Sequence, residues 1–326
     1  LTLPVRLHSP PEMASLGFTS VCRHPSLSCA HPARWRFHPP SKPHLTWSEA
    51  PDRSHWLSVT GSLPRFLFGS NVYLMSSDDE LRTCLEGISK YVGEMAQVHF
   101  DSFKANVTRV DYCRDWQLTS ELVTQYLRAL HSVSLPRMHR MVTDNCTVQL
   151  SNASQTICFY DKFEERAAMK TKSHEELNAA KGRLRFEMRF RDNRSCGRHA
   201  ATMGLRNRLA ESLLNCEVAQ RTVKTTLDRL GLNKPLSSGS RRLELLRSHF
   251  PNDNSKVFRL MGFLSVCDHY GADNLVKLGF CTYSDLRRKL ADAKSAGVLY
   301  QTDEPGSLAP LTMLQPREIS KASEAA

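Results

Sequence analysis

Long apolar runs are missing from this sequence. No window approaches the 18 consecutive apolar residues that a membrane-spanning helix needs, so a helical membrane protein is excluded. A signal-type leader is missing too: the apolar run from Leu1 to Leu7 is too short and is soon interrupted by Pro10–Pro11, so an intracellular chain is expected. There is no disulfide framework. The ten cysteines are scattered through patterned segments of a 326-residue chain that can bury a core without staples, and reduced thiols are expected. Acid is in short supply: Asp+Glu number 33 against 44 Lys+Arg, a net charge of +11, which favours a polyanionic partner.

The surplus is concentrated. Residues 181–250 hold 16 Lys/Arg and 6 Asp/Glu, so an excess of 10 positive charges lies in this one segment. Such a stripe is the electrostatic footprint of a nucleic-acid-binding surface. Residues 1–54 differ in the opposite way, with eight of the sixteen prolines before residue 50, and are read as a disordered, Pro/His-rich segment not native to the fold. Within it, Cys22-x-His24 and Cys29-x-His31 offer four soft ligands, but one intervening residue is poor spacing for zinc.

From residue 55 the patterning is strong. Ser77-Asp78-Asp79-Glu80 caps a helix over about Asp78 to Met95, with Leu81, Leu85, Ile88 and Val92 at helical spacing. Ala105–Asp115 reads as a strand, and Thr119 or Ser120 caps a second helix with Leu122, Val123, Tyr126, Leu127 and Leu130 on its apolar face. Strands follow at Cys146–Leu150, Thr156–Phe163 and Arg183–Arg191, the first two joined by the turn residues Ser151–Ser154. The expected fold is therefore α+β: a mainly antiparallel sheet of split βαβ-like order, with helices on one face, over residues 55–198. A helical region, 199–302, and a disordered tail, 303–326, complete it. Within the helical region His199–Leu230 holds one long amphipathic pattern, and 273–290 resembles a helix-turn-helix around Gly279.

Strand alternation then groups the chemistry. In Arg183–Arg191 the even positions are apolar, while Arg183, Arg185, Glu187, Arg189 and Arg191 share the other face. Arg109, Asp111, Cys113 and Asp115 share a face of the first strand, and Thr156, Cys158, Tyr160 and Lys162 one of the third. On pattern alone these also fit a solvated, ion-paired surface and an ordinary sheet tyrosine. Together, however, they provide what a phosphoryl-transfer nickase needs: a phenol to attack a phosphodiester, carboxylates for a hard divalent cation, and cations for the developing charge.

Four segments, Gly61–Val72 (GSLPRFLFGSNV), Val107–Asp111 (VTRVD), Thr156–Glu164 (TICFYDKFE) and Leu184–Arg189 (LRFEMR), resemble, in order and separation, the gene II/gene X replication proteins of filamentous phages and related plasmid initiators. The resemblance spans about Trp56 to Val298, and an edge strand of the family sheet is expected to be missing before Trp56. It implies a rolling-circle replication initiator that nicks one origin strand, stays joined through a tyrosine to the 5′ phosphate, and later rejoins the strand. Carried over by position, Tyr160 is the nucleophile and Lys162 its cationic neighbour. Asp111 and Glu187, with Asp115 as a third, are the acids for Mg²⁺ or Mn²⁺. Arg109, Arg183, Arg185, Arg189, Arg191, Arg194 and Arg198 are the expected DNA contacts. The implied partners are double-stranded origin DNA, the displaced single strand, and host helicase and polymerase. The implied location is the cytoplasm of a bacterial host, without a membrane. Two other readings remain open: a DNA-binding regulator or defective truncated copy without chemistry, and an RNA-binding α+β module.

Overall fold

The structure, a computed structural model, describes residues 2–4, 16–20, 34–39, 42–49, 54–131, 133–143, 146–169, 173–233, 239–270, 272–298 and 308–312. The Cys22/His24 and Cys29/His31 pairs lie outside the described residues. The chain forms two compact units, one of Leu1–Val110 with Phe190–Ala219, the other of Asp111–Arg189 with Gln220–Arg317. Each unit is discontinuous in sequence, so neither coincides with the expected stretches 55–198 or 199–302.

The first unit is built on an antiparallel sheet of β1 (Thr2–Pro4), β2 (Thr19–Ser20), β3 (Arg34–Phe37), β4 (His44–Glu49) and β5 (His55–Thr60), in the order β1-β5-β4-β3-β2. For the described residues this corrects the expectation that residues 1–54 lack regular structure, and it supplies strands before Trp56, where an edge strand was expected to be missing. Prolines 39 and 43 punctuate the strands rather than interrupting them, and the strand β4 alternates as cleanly as any in the chain. Leu45 and Trp47 pair with Val59 and Leu57, and all four are buried on one face. Against that face lies α2 (Asp78–Ala96), which follows the short α1 (Leu63–Phe68). Cys84, Ile88 and Val92 of α2 join the same apolar cluster. Ser77 caps α2 as expected, its hydroxyl accepting from the Glu80 N–H at 3.2 Å. The single amphipathic pattern from His199 is broken: α6 (Asn193–Thr202), α7 (Ala210–Leu213) and α8 (Cys216–Leu230) are separate helices, and Gly204, with φ of 77°, ends the first of them.

The second unit carries the other sheet: β6 (Val110–Gln117), β7 (His139–Thr143), β8 (Thr147–Ser151), β9 (Gln155–Asp161) and β10 (Arg183–Phe190), in the order β6-β10-β9-β8-β7. The last strand in sequence is inserted between the first and the fourth, which is the split order expected. The β8–β9 turn is held by Asn152, whose side-chain oxygen accepts from the N–H groups of Ser154 and Gln155 at 3.0 and 2.9 Å. Strand β7 was not expected. Its second residue, Arg140, is polar yet buried, satisfied in part by the Val133 carbonyl at 3.1 Å, so the apolar alternation that marks a strand is absent. Helix α3 (Ser120–Leu130) packs on β8 and β9, and α4 (Lys162–Ala167) and α5 (His174–Ala180) fill the connection to β10.

Gly182 sets how β10 meets β6. It has φ of 68°, and a Cβ there would lie 2.2 Å from the Leu118 carbonyl oxygen, while the Leu118 N–H donates to the Gly182 carbonyl at 2.7 Å. The C-terminal helices α9 (Gly239–His249), α10 (Asn254–Tyr270), α11 (Ala272–Lys277) and α12 (Tyr283–Ser295) enclose their own apolar cluster, including Leu246, Leu260, Leu264, Leu275, Leu286 and Leu290. Part of the expected disordered tail is ordered as well. The Trp116 indole donates to the Leu311 carbonyl at 3.0 Å and the Tyr126 hydroxyl to the Ala309 carbonyl at 2.8 Å, and Leu311 itself is buried. Two buried donors that need acceptors account for the docking.

Candidate active site

Three neighbouring strands of the second unit place their chemistry on one face. In β10 the apolar set Leu184, Phe186, Met188 and Phe190 is buried, with Phe186 and Phe159 of β9 packed ring to ring at 5.1 Å. The opposite face of β10 presents Arg183, Arg185, Glu187 and Arg189. It meets Asp111 and Asp115 from β6 and Tyr160 from β9, as the alternation requires.

The centre is a short chain of hydrogen bonds. The Tyr160 hydroxyl donates to Glu187 Oε1 at 2.5 Å. The other carboxylate oxygen, Oε2, accepts from Arg189 Nε at 2.9 Å and from the same guanidinium's Nη2. Arg189 Nε in turn lies 3.6 Å from Asp111 Oδ2. Beside this chain Asp115 receives a bidentate pair from Arg185, both bonds at 2.7 Å, and a third bond from Arg183 at 3.1 Å.

Burial, and then the negative charge of Glu187, push the Tyr160 phenol well above the ordinary tyrosine range. Burial alone would raise Glu187, but the Arg189 charge and the Tyr160 hydrogen bond outweigh it and hold the carboxyl below its ordinary value. The resting proton therefore stays on the phenol, and Glu187 faces it as a charged acceptor. Cys158, on the Tyr160 face of β9, is pushed up to about 12 by burial, and Cys113 is raised in the same way, so both thiols are held protonated.

Lys162 comes to Tyr160 by another route than alternation. It is the first residue of α4, fully buried, with Nζ 5.7 Å from the Tyr160 ring centre and 2.9 Å from Glu165. Burial and the nearby Arg185 lower its affinity for a proton.

The expected arginine surface is divided. Arg183 and Arg185 are buried against Asp115, and Arg189 is half-buried between Glu187 and Asp111, so these three act first as partners of the acids. Their alternation with a single acid on β10 reads equally as a solvated face, and only the neighbouring strand shows otherwise. Arg109, Arg191, Arg194 and Arg198 are exposed and belong to the other unit.

Among the described residues no three of His, Cys, Asp and Glu come together to cage a metal ion. Both oxygens of Asp115 are taken by guanidinium groups. Both oxygens of Glu187 are likewise engaged, by Tyr160 and Arg189, so Asp111 and Glu187 would hold a hard cation keeping most of its waters only where that cation takes the place of Arg189 between them.

No curated protein matches the chain. The family model of the N-terminal domain of the phage gene II replication-associated protein matches residues 42–203, beginning in the sheet of the first unit and running through β10. Those residues belong to the replication-associated protein family of filamentous phage gene II, a family that implies a rolling-circle replication initiator role.

Proposed function

We propose that this protein nicks one strand of origin DNA with Tyr160 as nucleophile. The observation that carries the reading is the Tyr160–Glu187 hydrogen bond, in which a protonated phenol faces a carboxylate held charged by Arg189. As the Tyr160 oxygen bonds to phosphorus, its proton passes to Glu187, and the bond from phosphorus to the 3′ oxygen breaks, that oxygen taking a proton from water. The products are a 5′-phosphotyrosine and a 3′ hydroxyl, and the reverse attack rejoins the strand. As the proton neutralises Glu187, the Arg189 charge becomes available to the phosphoryl oxygens, where negative charge builds. Asp111 and Glu187 are the residues that would hold Mg²⁺ or Mn²⁺, which when bound polarises a phosphoryl oxygen. Asp115 orients Arg183 and Arg185 rather than meeting the cation.

The test is denaturing electrophoresis of a labelled origin oligonucleotide after incubation with protein and Mg²⁺. A protein-linked 5′ product is expected, and it is lost in Tyr160→Phe. If Tyr160→Phe forms the adduct as well as the parent, the nucleophile is misassigned.

The burial of Tyr160, 7% exposed, favours a second reading: a DNA-binding protein without chemistry. It expects a gel shift that survives EDTA and no adduct at any metal concentration.

A further inference from the structure

The motif Gly61–Val72 belongs to the first unit, not to the one that holds Tyr160. Its first residues line a separate cleft in the first unit. One wall is the β3–β4 connection and the start of β4, carrying His38, Lys42 and His44, and the other is Gly61 and α1, carrying Arg65 and Phe66. Gly61 lets the walls meet, because a Cβ there would lie 3.2 Å from the Pro43 Cα. None of the lining residues is acidic, and His38, Lys42, His44 and Arg65 are all exposed.

Lys42 and Arg65 repel one another across the cleft unless an anion joins them, and a protonated histidine there adds to the repulsion. The two imidazoles meet through their Nδ1 atoms, with ring centres 4.4 Å apart, a contact that holds one shared proton and is broken by a second. His44 is kept below the ordinary imidazole value by partial burial and then by His38. Lys42 Nζ sits 5.4 Å over the Phe66 ring, and Arg65 offers a planar fork suited to phosphate. The charged groups facing the histidine pair are Lys42 on its own connection and Arg65 on α1. On β5 the residue paired with His44 is the uncharged Thr60.

We propose that this cleft is a second DNA contact, a subsite for one or two backbone phosphates remote in sequence from the nicking tyrosine. Lys42 and Arg65 supply fixed charge. His44 takes up a proton when the phosphate enters, so binding tightens as pH falls. The choice of DNA as the source of the phosphate rests on the initiator reading given above.

The test uses the full chain carrying Tyr160→Phe, in EDTA, with a short fluorescein-labelled duplex read by anisotropy at several salt concentrations between pH 6 and 8. Binding by the Tyr160→Phe chain is expected to tighten by up to about tenfold per pH unit for each proton taken up. Lys42→Ala/Arg65→Ala, made in that chain, is expected to reduce the slope of log affinity against log salt by up to about 2. His38→Gln/His44→Gln in the same chain is expected to flatten the pH dependence. Unchanged salt slope and pH profile in both variants, with unaltered thermal melting, overturn the proposal. Inorganic phosphate is titrated in parallel against the histidine ring resonances. Shifts with phosphate but none with the duplex assign the cleft to free phosphate and overturn its DNA role. An adduct from the parent without the cleft's salt and pH signature refutes the cleft alone, and the signature without an adduct refutes nicking alone.

Discussion

Replacing Asp115 by Asn separates a structural anchor from a metal ligand. Asp115 is 7% exposed and faces two guanidinium groups that are 2% and 5% exposed, through three hydrogen bonds. The amide keeps the shape but removes the negative charge that Arg185 and Arg183 share, leaving two buried cations short of their counter-charge. Breaking a buried pair in this way costs about 3–5 kcal/mol. For a folding unit of this size each kcal/mol moves the melting temperature by about 2–4 °C, so a fall of roughly 6–20 °C is expected. Thermal and urea unfolding followed by circular dichroism measure it. Adding Arg185→Met to Asp115→Asn is expected to recover part of the loss, since it removes one stranded charge. The matched control is Asp111→Asn: with its carboxylate 29% exposed and 3.6 Å from Arg189, it is expected to cost less than about 1 kcal/mol. A melting temperature unchanged in Asp115→Asn, together with a raised Mg²⁺ requirement for nicking, would refute the anchor and restore Asp115 as a ligand.

Glu187→Gln leaves an acceptor for the Tyr160 hydroxyl but no charge to take its proton, and adduct formation is expected to slow by about 10²–10⁴-fold with little change in DNA affinity, checked by single-turnover kinetics. Gly182→Ala meets both a positive φ and the Leu118 carbonyl, and is expected to cost about 2–4 kcal/mol in urea unfolding and to lower nicking by disturbing how β10 meets β6. His199 is buried and stacked on Phe190, and burial holds its pKa at about 4 against 6.5 when unfolded. The folded state thus favours the neutral ring: stability is full above pH 6.5 and falls by up to about 3 kcal/mol as pH drops to 4, whereas a His199→Phe chain loses that component of the slope.

Much of the candidate site was legible in the sequence because strand alternation is a strict rule. It grouped Asp111 with Asp115, and Arg185 with Glu187 and Arg189, before any fold was known. What alternation does not carry is pairing across strands. Whether Arg185 meets water, a phosphate or Asp115 depends on which strand lies beside β10, and that order is set by Gly182 and by the insertion of β10 between β6 and β9. Lys162 shows the converse, since it reaches Tyr160 although β9 has ended at Asp161 and the rule no longer applies. The amino-terminal strands were obscured by composition. Proline density suggested disorder, but a proline between strands costs a sheet nothing, and the Leu45/Trp47 alternation was the stronger signal. Strand β7 was hidden by Arg140, a buried cation that no apolar pattern announces.

The docking of residues 309–311 has a consequence for how the chain is made. Trp116 and Tyr126 find their acceptors 195 and 183 residues later, so the unit that holds Tyr160 closes these hydrogen bonds only after residue 311 has left the ribosome. During synthesis, which takes tens of seconds for such a stretch, the sheet of that unit waits with two donors open and its helical partner unmade. The residues of the candidate site are thus assembled on a scaffold that is closed only by a much later segment, and a chain stopped before residue 309 carries every residue of the candidate site without the contacts that close the unit around it.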